Sequence, residues 1–111
     1  MEGMEKASFQ MITSIGTARS NLMEALELAR KKEFNEAKDK IQEADHHLTE
    51  GHHGHTGLIQ KEANGEQIPF SLLFMHAEDQ LMTTYLLRDI AQEMVNMYEV
   101  MYYDYNDSAS R

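Results

Sequence analysis

His76 and Asp79 stand three residues apart in the run Met75-His76-Ala77-Glu78-Asp79-Gln80-Leu81-Met82-Thr83-Thr84. An imidazole titrates near neutrality and can move a proton or accept a transferred group on one ring nitrogen. At about 100° per residue on a helix, Gln80 and Thr83 share the face of His76 one and two turns on, and Asp79 lies about 60° around. Asp79 also falls within an apolar seam: Leu72, Met75, Met82, Leu86, Ile90, Met94, Met97 and Met101 recur around it every three or four residues. A carboxylate facing packed apolar groups is costly unless it is paired, hydrogen-bonded or bound to a cation. The plainer alternative is a core histidine that donates to Asp79 and has no further role. On pattern alone the plainer reading leads, because such pairs are common.

A second polar cluster spans Asp45 to His55 and holds five of the six histidines. On a helix these rings cannot converge on one ion. Only pairs such as His52 with His55, or His46 with Glu50, have the spacing that metal ligands on one helix use, and another helix would have to complete the set. A half-exposed polar stretch lining the surroundings of His76 is the favoured reading of the cluster.

The elements that must position these residues are three helices, at about 5–32, 35–63 and 69–103, with a tail, 104–111, that frays. The first helix has the apolar row Met4, Met11, Ile15, Ala18, Leu22, Ala25 and Ala29, and the second has Phe34, Ala37, Ile41, Ala44, Leu48, Gly51, His55 and Leu58. Gly16 weakens the first helix by about 1 kcal/mol relative to alanine, which suggests close approach of a neighbour there. Asn64-Gly65 is a helix stop, and Pro69 suits the first turn of the third helix. The charged run from Ala29 to Lys40 reads as a solvated helix end, a turn and the next helix start, in keeping with the macrodipole. No alternating β-type run competes. The expected fold is all-α, an antiparallel up-down-up three-helix bundle. Rods on the order of 40 Å long leave much apolar side uncovered. The third helix in particular should meet copies of itself, giving a homo-oligomer with that helix at its axis.

Composition narrows the classes of function. The chain has 111 residues, enough for one domain with a modest core. A net charge of −9 excludes the basic stripe of a nucleic-acid binder and disfavours an anionic membrane surface. There are no cysteines, so any covalent intermediate forms on another nucleophile. The opening residues lack a secretion-signal pattern and no apolar run spans a bilayer, which points to a cytoplasmic address. Nine methionines and no tryptophan fit soft helix–helix contacts.

Three ordered blocks, Gly16-Thr17-Ala18-Arg19-Ser20, Thr56 to Ala63 with Gly65-Glu66, and Met75 to Thr84, resemble the enzyme IIA component of the lactose/cellobiose (chitobiose) class of the phosphoenolpyruvate-dependent sugar phosphotransferase system. The resemblance runs from about Glu5 to Glu99. It implies a homotrimer of three-helix chains. It also implies that His76 takes a phosphoryl group on Nε2 from HPr and passes it to a cysteine of the cognate IIB protein during sugar uptake. Asp79 from three chains is implied to hold a divalent cation, Mg²⁺, at the trimer axis. Gln80, Thr83 and polar residues of a neighbouring chain's second helix, with His55 as the candidate there, are the expected phosphate-orienting groups. The chain departs from the family at three of these places: Gln80 stands where histidine is common, His55 where glutamine is common, and Glu78 where a neutral glutamine is common. Two other readings stand beside the carrier, a helical metal-binding protein using His46–His55 and a regulatory trimer impaired in transfer.

Overall fold

In the computed structural model, which describes residues 2–110, the chain forms three helices: α1 (Glu2–Arg30), α2 (Phe34–Ala63) and α3 (Leu72–Ser110). They run up, down and up in a rod 66 Å long and about 20 Å across (21 × 18 Å), with no strand among the described residues. None of these helices is long and apolar enough to cross a membrane.

Backbone chemistry at the ends explains where the boundaries fall. α1 stops at Arg30, two residues before its expected end, because Lys32 takes a left-handed conformation (φ 68°). The amides of Lys32 and Glu33 then bond back to the carbonyls of Ala29 and Leu28, at 3.0 and 2.9 Å. α2 ends as expected, with Gly65 at φ 91° and the amides of Gly65 and Glu66 closing onto Glu62 and Lys61. α3 begins at Leu72, not in the turn containing Pro69. The start is set by Ser71, whose hydroxyl accepts the Phe74 amide at 3.1 Å as an N-cap. Residues 104–110, expected to fray, continue the helix, and Arg111 lies outside the described residues. The end of α3 is held by aromatic packing: the Tyr102 ring lies 5.7 Å from Phe34, with the Lys32 ammonium 5.2 Å above it.

The apolar row foreseen for α1 is buried throughout, and so is that of α2 from Phe34 to Gly51; His55 and Leu58 are half-buried. Gly51 and Gly54 let α1 and α2 close together, since a Cβ would sit 3.1 Å from Ile15 Cγ1 and 3.0 Å from Met11 Cγ respectively. A Cβ at Gly16 would meet no neighbour within 4 Å, so the close contact expected there is absent among the described residues. α3 meets the other two helices through a row of mostly small residues, Ala77, Leu81, Thr84, Ala91 and Val95. Its bulkier row from Leu72 to Met101 faces outward: Met75 is 53% exposed, Met82 63% and Leu86 61%. Small side chains nest between two helices more closely than methionines do, so the fit against α1 and α2 selects the former.

Candidate functional site

His76 is exposed on α3, one position before buried Ala77. Among the described residues its side chain makes no hydrogen bond, ion pair or ring contact. The plain alternative, a core histidine bonded to Asp79, therefore fails on both burial and pairing. Asp79 is exposed on the outward apolar stripe and has no ion-pair partner among the described residues. Gln80 is half-buried on the His76 face. Thr83 is exposed, and its hydroxyl contacts carbonyls of its own helix, Asp79 at 2.9 Å and Gln80 at 3.2 Å. To donate to a ligand it must first turn from them.

His55 does not join this group within the chain. It faces the other flank of α3, where its Nδ1 lies 2.6 Å from Glu78 Oε1. The two side chains are 24% and 31% exposed, and both contacting atoms are shut off from solvent; the approach is close, but its geometry is not that of a hydrogen bond, and neither atom has a hydrogen-bond partner among the described residues. The His52 ring stands 5.9 Å from that of His55 and edge-on to Tyr85 at 6.3 Å. Burial pushes the Tyr85 hydroxyl above its ordinary pKa, and the Asp45 carboxylate adds to the shift.

The remaining histidines of the second cluster disperse. His46 pairs with Glu50 at 3.2 Å, and His47 reaches the same carboxylate only at 4.0 Å. Among the described residues no group of three or more His, Cys, Asp or Glu side chains is placed to hold a metal ion. The His46–His55 stretch, weighed above as a metal centre, thus lacks a complete ligand set. A single chain likewise supplies only one carboxylate, that of Asp79, toward the expected axial cation.

Three ion pairs between α2 and α3 escaped the sequence reading: His55 with Glu78, Asp45 with Arg88, and Lys38 with Glu99. A signal for the first existed in the two departures at positions 55 and 78, which sit opposite each other.

Chemically, the arrangement offers one unencumbered imidazole at the border of an exposed apolar stripe, with an amide and a hydroxyl along its face. That suits reversible acceptance of a group presented by another protein.

The chain is similar to known proteins in sequence and in fold. Residues 6–99 match the family described as PTS system, Lactose/Cellobiose specific IIA subunit. The chain is 42% identical over 98 residues to the lichenan-specific phosphotransferase enzyme IIA component of Bacillus subtilis, covering 88% of this chain and 89% of that one. Its fold is similar to the crystal structure of the PTS cellobiose-specific enzyme IIA of Bacillus anthracis, with a TM-score of 0.85 and 37% identity over 89% of this chain and 91% of the other. It is similar also to IIA(chitobiose) of Escherichia coli, solved in complex with HPr, with a TM-score of 0.79 and 30% identity over 89% and 96% of the two chains.

Proposed function

This chain belongs to the lactose/cellobiose-specific IIA subunit family of the phosphotransferase system, and from that premise we propose that it is a phosphocarrier whose working group is the His76 imidazole. The observation that carries the reading is the state of that ring: exposed, unpaired and bordered by apolar surface, inside the stretch that matches the family. HPr is the donor in this reading, supported by the E. coli relative having been solved in complex with HPr.

In the first transfer His76 Nε2 gives its lone pair to phosphorus while the P–N bond of the HPr phosphohistidine breaks and its electrons return to the donor ring. In the second, a cysteine thiolate of the IIB protein attacks, and the P–N bond to His76 breaks in turn. Both steps ask for in-line approach and for donors to the equatorial oxygens. Gln80 offers its amide on the His76 face, and Thr83 its hydroxyl once turned outward. A phosphohistidine adds about two negative charges, which an exposed site accommodates better than a buried one.

The outward stripe of α3 supports a homotrimer closed around that helix, because it is too large an apolar surface to leave in water. Closure would bring three Asp79 carboxylates to one axis. An all-oxygen donor set fits a hard divalent cation such as Mg²⁺, which would neutralise carboxylates that otherwise repel.

The test is incubation with phosphoenolpyruvate, enzyme I and HPr, followed by mass spectrometry. Acid-labile phosphate on His76, absent from His76→Ala, is the expected result. A native chain that takes up no label would overturn the reading.

A further inference from the structure

Around α3, at about 100° per residue, four sectors follow one another. His76 marks the first. The core row centred on Ala77 lies about 100° on, Glu78 about 200° on, and the apolar stripe of Met75, Asp79, Met82 and Leu86 fills the remaining quarter. The stripe therefore has His76 on one flank and Glu78 on the other. Glu78 is held there by His55 of α2, through the 2.6 Å contact. Within one chain the pair and His76 point away from each other.

Cyclic closure changes that relation. When parallel copies turn one stripe toward a common axis, each interface is heterologous: the left flank of one copy meets the right flank of the next. Rotation about the axis involves no shift along it, so His76 of one copy and Glu78 of its neighbour differ in height only by about two residues' rise, roughly 3 Å. We propose that the His55–Glu78 pair serves the phosphoryl site of the adjacent copy, as a positioning pair acting in trans, and not the His76 of its own chain. The proposal rests on the trimeric phosphocarrier reading above.

The charges say why the pair is needed. An uncompensated carboxylate on the wall facing His76 would repel an incoming dianionic phosphoryl group. With Nδ1 of His55 set against Oε1 of Glu78, the carboxylate is turned onto the α2 ring and does not stand alone on the wall that faces the neighbour's His76. Removing His55 alone should therefore do more harm than removing the whole pair. The neutral double variant His55→Gln/Glu78→Gln has no charge to compensate.

The experiment is transfer from phospho-HPr, followed in time. His55→Ala should slow labelling of His76 about tenfold, a smaller loss than follows deletion of a donor aimed at the transferring group itself. His55→Gln/Glu78→Gln should recover most of the native rate. Hybrid oligomers of differently tagged His76→Ala and His55→Ala chains, purified through both tags, then separate trans from cis. Only the His55→Ala chain keeps a His76 to label. In trans, those chains whose facing neighbour is a His76→Ala chain see an intact His55, so a native-rate phase appears. Uniformly slow labelling of the hybrids would overturn the proposal, as would an undiminished rate in His55→Ala or failure of the tagged chains to co-purify. Failure of the carrier reading shows differently: the native chain itself takes no phosphate.

Discussion

Arg88 of α3 sets its guanidinium fork on the Asp45 carboxylate of α2, with Nε 2.7 Å from Oδ1 and the second edge 2.9 Å from Oδ2. The two parallel bonds fix both the distance and the rotation between helices, which a single point charge does not. Both side chains are partly exposed, at 27% and 44%, so solvent screens the pair. A double-mutant cycle of Arg88→Ala and Asp45→Ala should give a coupling of about 1 kcal/mol or less in urea unfolding. Arg88→Lys keeps the charge and loses the fork, and should forfeit most of that coupling. A lysine variant as stable as the native chain would show that the geometry contributes nothing.

The same carboxylate reaches Tyr85. Because the folded-state pKa of Tyr85 is raised by burial and then by Asp45, the phenol ionises more readily in the unfolded chain. The folded state therefore binds the proton longer. Its advantage is complete below the ordinary tyrosine pKa of about 10 and is lost as pH rises through the folded value. The raised values of Lys40 and Arg88 act with the same sign at higher pH. Denaturant midpoints measured from pH 8 to 11 should fall above about pH 10, and Tyr85→Phe should flatten the first part of that fall. An unchanged slope in Tyr85→Phe would remove Tyr85 from the account.

Two glycines of α2 should answer alanine substitution with opposite signs. At Gly51 the new methyl would meet Ile15 Cγ1 at 3.1 Å, and Ile15 is a stiff β-branched side chain only 1% exposed. At Gly57 nothing lies within 4 Å. Gly57→Ala should stabilise by about 0.5–1 kcal/mol through helix propensity. Gly51→Ala should be net destabilising because overpacking exceeds that gain, by about 1 kcal/mol or more. Thermal melts of the two variants give the comparison.

That contrast also marks what the sequence disclosed. The rows of α1 and α2 were legible because each helix has one apolar side, and its spacing alone names the buried residues. α3 has two such rows. Spacing picks out the bulkier one, Met75 to Met101, whereas shape against α1 and α2 decides that Ala77, Leu81 and Val95 face inward. Gly16 and Gly51 look alike in a string, and only the level at which α1 crosses α2 makes Gly51 the contact point. At the site, His76, Asp79, Gln80 and Thr83 lie on one helix, so their order around it follows from helical geometry alone. His55 with Glu78, and Asp45 with Arg88, are cross-helix contacts whose register no local pattern encodes. The helical continuation through Ser110 was hidden for the same reason: Tyr102 is anchored by Phe34, far away in sequence.

Asp79 gives the last test, since it is a carboxylate set among Met75, Met82 and Leu86 on a stripe that the chain leaves uncovered. If three copies close around that stripe, the carboxylates repel and lose hydration together, and a divalent cation relieves both penalties. Asp79→Leu replaces the charge with a side chain matching its neighbours on the stripe. In a chelating buffer the variant should melt above the native protein, with a gain of at least about 1 kcal/mol per chain, and added Mg²⁺ should raise the melting temperature of the native protein alone. Sedimentation of both proteins should return the same trimer mass. If Asp79→Leu instead weakens the assembly in metal-free buffer, the carboxylate is making a favourable contact of its own and does not stand among its copies at an axis.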